Sequence, residues 1–305
     1  MPWFDRFFGK RAHSAFHVIP GLANGVASYG AHGALSKGHE EIYAIPGIWR
    51  VDSDGSPDFD PQWTSTLVHE FAHSYVGPLV DKFAAPLEKS GDRLFEAEKT
   101  EMRRQAYANG KTVLNESLVR AATARYAFEH QGPEAAAAAV NEERNRAFLW
   151  TGELLALLDK YAQDRERYPT MESFMPRVVA FFDDAASRVD QMIRDDEAGR
   201  PKIVSLSIVN GAQDVDPALK EIVVRFDRPM QKDRYAVART SAVTQPKFGK
   251  VSFDETGRVF TIPVTLEPDK EYAFSLNWPG GGSFQSVEGV LLKPVEVKFR
   301  TRPAP

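Results

Sequence analysis

Apolar and polar positions along this chain pass through three regimes. Residues 13–51 form short β-prone stretches broken by glycine, among them Phe16-His-Val-Ile-Pro-Gly21, Tyr29-Gly-Ala-His-Gly33 and Glu41-Ile-Tyr-Ala-Ile-Pro-Gly-Ile-Trp-Arg-Val51. From Gln62 to about Asp196 the spacing is helical. Trp63, Leu67 and Phe71 recur every four residues, and Val68, Ala72 and Tyr75 widen that stripe into a face that must be buried. Asp60-Pro61 predicts an N-cap and first helical residue for this segment, and Gly77-Pro78 predicts its end. Further breaks fall at Asn109-Gly110, Gly132-Pro133 and Tyr168-Pro169. A second helix between the first two of these carries Val113, Leu114, Leu118, Ala121 and Ala122 at helical spacing. Leu154, Leu155, Leu157, Leu158, Phe181, Phe182 and Met192 are core positions of later helices. Near Gly199-Arg-Pro201 the period drops to two: Ile222, Val224 and Phe226 point one way, Val223 and Arg225 the other. Residues 251–253, 259–264, 272–276 and 295–299 repeat the theme between turn residues.

Strands first and helices after predict an α+β domain over residues 1–200, a small N-terminal sheet with a mostly helical remainder. Several short strands in the last hundred residues predict an all-β sandwich over 201–305. The 305 residues suffice for a core in each. No stretch approaches the ~20 apolar residues of a membrane span. The aromatic start Met1-Pro-Trp-Phe-Asp-Arg-Phe-Phe-Gly-Lys10 is broken by charge, so it is expected to be neither a signal segment nor an anchor. The absence of cysteine excludes disulfides and thiolate metal ligands. Net charge is −4; residues 201–305 carry 15 Lys and Arg against 12 Asp and Glu, which leaves −7 for the first 200 and argues against nucleic-acid binding there.

Chemistry concentrates in Leu67-Val-His-Glu-Phe-Ala-His73. On a helix the imidazoles of His69 and His73 lie one turn apart on one face, with Glu70 beside them. Two neutral imidazoles suit Zn2+, and an uncoordinated carboxylate beside the ion can take a proton from water. A catalytic zinc ion needs a third protein ligand. The candidates are His130, His39 or a carboxylate, and Glu116 on the second helix is the best of them. The plainer alternative makes the histidines ordinary half-buried residues and pairs Glu116 with Arg120 at i,i+4. An oxyanion donor is sought among Tyr126, Arg120, Tyr75 and His130, with Tyr126 preferred. The segment Glu41–Val51, interrupted by Pro46 and Gly47, is either an edge strand that pairs with an extended substrate or an ordinary strand with a bulge.

Asn115-Glu116 downstream of the H-E-x-x-H helix resembles the gluzincin metallopeptidases, in which a Glu on a separate helix, often directly after an Asn, is the third ligand. That resemblance implies a zincin-like catalytic domain with one catalytic Zn2+ on His69, His73 and Glu116, Glu70 as general base and a peptide or protein substrate. Arg120 departs from the pattern, which has a hydrogen-bond-accepting Asp one turn after the ligand Glu. An Arg accepts no hydrogen bond, so the ligand imidazoles are expected to use another carboxylate or a backbone carbonyl, and Arg120 either holds Glu116 or reaches a substrate. The first 200 residues are also similar to a bacterial family of H-E-x-x-H proteins of unknown function, through Trp3-Phe4-Asp5, Ile19-Pro-Gly21, Val68–Ser74, Asn115-Glu116, Arg120 and Tyr126. Asn210-Gly211, Asp214-Val-Asp-Pro217 and Phe226-Asp-Arg-Pro-Met230 resemble the bacterial Ig-like domain of surface-layer and other exported proteins. This implies a periplasmic or secreted protein with its signal segment removed, attached at the cell surface through that domain. A zinc-containing binding or adhesion protein without catalysis, and a hydrolase of non-peptide amides, remain as alternatives.

Overall fold

The computed structural model describes residues 2–11, 14–34, 39–58, 63–240, 244–278 and 284–303. Two compact units divide the chain, Met1–Ile193 and Arg194–Pro305. The first opens with a short helix, α1 (Pro2–Phe8), followed by strands β1 (Ser14–Val18), β2 (Tyr29–Ala34) and β3 (Glu40–Ile45). Helices α2 (Trp63–Lys82), α3 (Ala84–Ala97), α4 (Lys99–Arg104), α5 (Gly110–Gln131), α6 (Pro133–Asn145), α7 (Thr151–Gln163) and α8 (Met171–Gly199) complete it, and the division between the units falls inside α8. This is the expected mixed α/β order of small sheet and then helices.

Its sheet runs β1-β3-β2, with β1 parallel and β2 antiparallel to β3. The edge strand next to α2 is therefore β2; β3, from the segment considered for that place, is central and stops at Ile45, before Pro46. Proline has no N–H to give a ladder, so the strand ends where the ladder would lose a donor. The predicted stop at Gly77-Pro78 is also corrected: Pro78 lies inside α2, which continues to Lys82. Burial of Val76 and Val80 on either side holds the helix through the missing hydrogen bond. The cap predicted at Asp60-Pro61 lies outside the described residues. α5 starts at the expected break, Asn109-Gly110, where Asn109 caps the helix by accepting a hydrogen bond from the Thr112 N–H at 2.9 Å.

The N-terminal segment is a core element. Trp3, Phe4, Phe7 and Phe8 are all buried, with ring contacts from Trp3 to Tyr126 (5.2 Å), Phe4 to Tyr75 (5.4 Å) and Phe7 to Tyr161 (5.4 Å). Each such side chain taken out of water contributes about 1.5–3 kcal/mol, so seven residues of weak helix propensity are held by what they bury. Among the described residues no helix is long and apolar enough to cross a membrane.

The second unit carries β4 (Ile203–Leu206), β5 (Glu221–Phe226), β6 (Val237–Arg239), β7 (Lys247–Phe248), β8 (Ser252–Phe253), β9 (Val259–Thr265), β10 (Glu271–Leu276) and β11 (Val295–Arg300). They form two sheets, β4-β5-β9-β7 with β8 on β9, and β11-β10-β6. Ile222, Val224, Phe226, Phe260 and Ile262 from the first share one core with Tyr272, Phe274, Leu276, Val297 and Phe299 from the second, as in an Ig-like sandwich.

Candidate metal centre

Two helices build the site. α2 buries Val68, Phe71, Ala72, Tyr75 and Val76, which turns His69 and His73 to the border of that face. α5 packs against α2, α3, α6 and α7. Its start is set by a close crossing: a Cβ on Gly110 would lie 2.2 Å from the backbone of Gly91 in α3, so only glycine lets α5 approach there. The two helices bring His69, His73 and Glu116 together with their ligand atoms within 4.8 Å of one another. The Nε2 atoms of the histidines are 3.2 Å apart, His73 Nε2 is 3.4 Å from Glu116 Oε1, and His69 Nε2 is 3.6 Å from Glu116 Oε2.

These separations suit a single zinc ion. Ligand atoms about 2.0–2.1 Å from a tetrahedral centre stand roughly 3.3–3.4 Å from one another, which is the size of the triangle formed here. The donors are those zinc prefers when cysteine is absent. Glu116 Oε2 is buried without a well-formed hydrogen bond, although Arg120 Nη2 lies 3.2 Å away and the Tyr107 hydroxyl is close by. His73 Nδ1–H donates to Asn115 Oδ1 at 3.0 Å, which leaves the Nε2 lone pair facing the other two ligands. The expected carboxylate or backbone acceptor is thus corrected to a side-chain amide, on the residue next to Glu116. Burial, and after it the neighbouring His73, hold the His69 imidazole well below its ordinary value, in the neutral form a metal needs.

Glu70 is buried, 7 % exposed, and lies under β2. A Cβ on Gly30 would meet the Glu70 carbonyl oxygen at 2.4 Å, so glycine permits this crossing, and the Gly30 backbone N–H donates to the Glu70 carboxylate. Burial, followed by the Glu116 charge, pushes the Glu70 carboxyl up to about 7, against the opposing pull of Arg120 and the Gly30 N–H.

Arg120 is 4 % exposed, and both its terminal nitrogens are engaged by the protein. Nη1 pairs with Glu143 of α6, Nη2 donates to the Tyr107 hydroxyl at 2.7 Å, and the guanidinium lies 4.6 Å from the Phe148 ring centre. Burial works against its charge, and Glu143 and Glu116 more than offset this. Of the two roles expected for Arg120, holding Glu116 matches this geometry; reaching a substrate does not, because its donors point into the protein. Tyr126 is corrected too. Ten residues beyond Glu116 on α5, it stands about 15 Å along the helix, packed on Trp3 and stacked 3.9 Å from His130. Its companion His130 is exposed, with Nδ1 on the Tyr126 carbonyl. Tyr75 sits among Phe4, Phe8 and Phe16, in the aromatic core. Tyr107 and Glu143 escaped the sequence analysis because no motif links positions 13 and 23 residues from Arg120.

A family model described as Domain of unknown function (DUF4932) matches residues 6–181, more than half of the chain. The chain belongs to this family. The candidate metal centre of this DUF4932 protein lies wholly within the matched residues, and a second match, to the bacterial Ig-like domain, spans residues 197–301. No curated protein matches the chain. Among solved structures, CopC from Methylosinus trichosporium OB3b aligns at 14% identity over 34% of this chain and 96% of its own, with a TM-score of 0.26. The surface layer protein SbsC, domains 1–6, aligns at 15% identity over 85% of this chain and 36% of its own, with a TM-score of 0.25. The N-terminal part of the same S-layer protein aligns at 13% identity over 84% and 60%, also at 0.25.

Proposed function

We propose that the first unit is a zinc-dependent metallopeptidase with a gluzincin-type ligand set, His69, His73 and Glu116. The observation that carries this is the buried Glu70 carboxylate beside three converging ligand atoms. A purely structural zinc site has no need of an acid there. When bound, zinc supplies a Lewis acid and an acidified water. Glu70 accepts the proton of the attacking water and returns it to the leaving amine, while the Gly30 N–H keeps its carboxylate aimed. Edge strand β2, which crosses α2 at Glu70, takes an extended peptide by strand addition. His32 shares the Gly30 face of β2, about 7 Å further along the strand, and is the side chain best placed there to contact a bound carbonyl.

The bacterial Ig-like domain supports an extracytoplasmic place, periplasmic or secreted, with that domain as the attachment to the cell surface. The deciding experiment combines metal analysis with a broad peptide library for the wild type and Glu70→Gln. One zinc per chain with cleavage lost in Glu70→Gln is the expected result. One zinc, no cleavage and no effect of Glu70→Gln on any property would instead leave a zinc-containing binding or adhesion protein.

A further inference from the structure

We propose that Arg120, Tyr107 and Glu143 form a clamp that positions Glu116, so that metal affinity is set by residues that never touch the metal. The proposal rests on the zinc reading above and adds three positioning residues to it.

Glu116 is the one ligand from α5, and its carboxyl group can turn about its own bond. Arg120, one helical turn on, places Nη2 3.2 Å from Oε2. Arg120 is in turn held at both terminal nitrogens and on one face. Glu143 of α6 takes Nη1, Tyr107 in the segment between α4 and α5 takes Nη2, and Phe148 beyond α6 covers the guanidinium face. The rings of Tyr107 and Phe148 meet edge to face at 5.9 Å.

The backbone repeats the same device twice. Ala106 and Ala147, at φ 67° and 69°, are non-glycine residues in the left-handed region, where L side chains are disfavoured. Each ends a helix, α4 or α6, and each directly precedes one of the two aromatic residues that close on Arg120. Tyr107 N–H bonds back to the Met102 carbonyl at 3.0 Å and Phe148 N–H to the Glu143 carbonyl at 2.9 Å, the same helix-ending geometry at both places. Two separate helix ends thus deliver an aromatic side chain to one buried cation.

Charge alone does not account for this cation. A positive group beside a ligand carboxylate repels a divalent ion and competes for the same oxygen lone pairs. Orientation does account for it.

The two explanations predict opposite signs. Zinc affinity of the full chain is measured by titration against a chelator of known affinity, with circular dichroism to check folding. Tyr107→Phe removes one hydroxyl from the clamp and is expected to weaken zinc binding about tenfold, the lower end of the usual effect of groups that orient metal ligands. The paired change Arg120→Met with Glu143→Met removes the cation without stranding its partner. It is expected to weaken binding between tenfold and a hundredfold, whereas electrostatics alone would tighten it. Arg120→Lys restores the charge but not the fork, and is expected to stay at least severalfold weaker than wild type. An unchanged Tyr107→Phe, or a paired variant that binds zinc more tightly, overturns the clamp and leaves the zinc reading intact. A wild type that takes up no zinc overturns both. If the paired variant does not fold, Tyr107→Phe decides.

Discussion

A buried amide in the sandwich and a buried charged cluster in the first unit meet their surroundings in opposite ways. In the sandwich, Asn277 is fully buried, and its side chain meets three backbone groups. Nδ2 donates to the carbonyls of Phe284 at 3.1 Å and Leu292 at 2.8 Å, while Oδ1 accepts from Phe284 N–H at 2.9 Å. In the first unit Glu70, Glu116 and Arg120 are buried charged groups beside satisfied Ser74, Ser117 and Thr151, and Glu116 Oε2 and Arg120 Nε make no well-formed hydrogen bond. A buried polar group with all its partners fixes a fold; charged groups with convergent, unsatisfied atoms are arranged around something else. The Asn277 amide ties Phe284 and Leu292 to the end of β10, whereas the Glu116 carboxylate is left facing two imidazoles.

The largest effect expected from this contrast is on activity alone. Glu70→Gln is nearly isosteric, so zinc content and folding should match the wild type while peptide turnover falls about a thousandfold, roughly 4 kcal/mol of barrier. Cleavage assays with parallel metal analysis check both halves, and a loss of zinc along with activity would make Glu70 a ligand instead of a base. The converse change is Asn277→Ala. It strands the Phe284 N–H and the Leu292 carbonyl, the Phe284 carbonyl keeping the Leu292 N–H, and puts alanine at φ 60°, so denaturant unfolding should show a loss of about 2–4 kcal/mol with zinc affinity unchanged.

The same contrast separates what was legible in the sequence from what was not. The strands of the sandwich were legible because Ile222, Val224 and Phe226 alternate with polar residues in a sheet with one buried face. The three candidate ligands and Glu70 were placed together from sequence because two lie one turn apart on a single helix and the third, following an Asn on a later helix, fits the gluzincin pattern. The i,i+4 pair of Glu116 and Arg120 was legible for the same reason. Distance along a helix was misjudged for Tyr126: membership of the ligand helix does not bring a side chain to the site when three turns intervene. The central place of β3 could not be read, because pairing order depends on which strand crosses over and not on the composition of either. Tyr107 was invisible because it follows a chain reversal at Ala106, a residue that carries no turn signal, and Glu143 because it reaches Arg120 only through the packing of α6 on α5. α1 has a helical spacing of aromatics, yet seven residues are too few for a period to stand out.

Metal removal sharpens the comparison at the level of local stability. With free zinc at a hundred times its dissociation constant, binding stabilises the folded site by about 2.7 kcal/mol. Chelation should therefore speed amide hydrogen exchange in α2 and α5 and leave β5, β9 and β10 unchanged. Equal acceleration in both units would mean that the metal contributes to the sandwich as well, and the contrast would fail.

The smallest expected effect concerns β2. His32 lies on the face of the edge strand that Gly30 presses onto Glu70, and its register partner Ile42 is fully buried on that same face. It is exposed and makes no part of the ligand triangle, so His32→Ala should leave zinc content and folding as they are. Loss of a single hydrogen bond to a bound carbonyl should lower turnover about tenfold, or roughly 1.4 kcal/mol. Steady-state kinetics on a peptide that the wild type cleaves separates the outcomes. A fall in kcat with KM unchanged places His32 at the reacting carbonyl; a rise in KM alone places it along the substrate backbone; no change in either removes β2 from the substrate path.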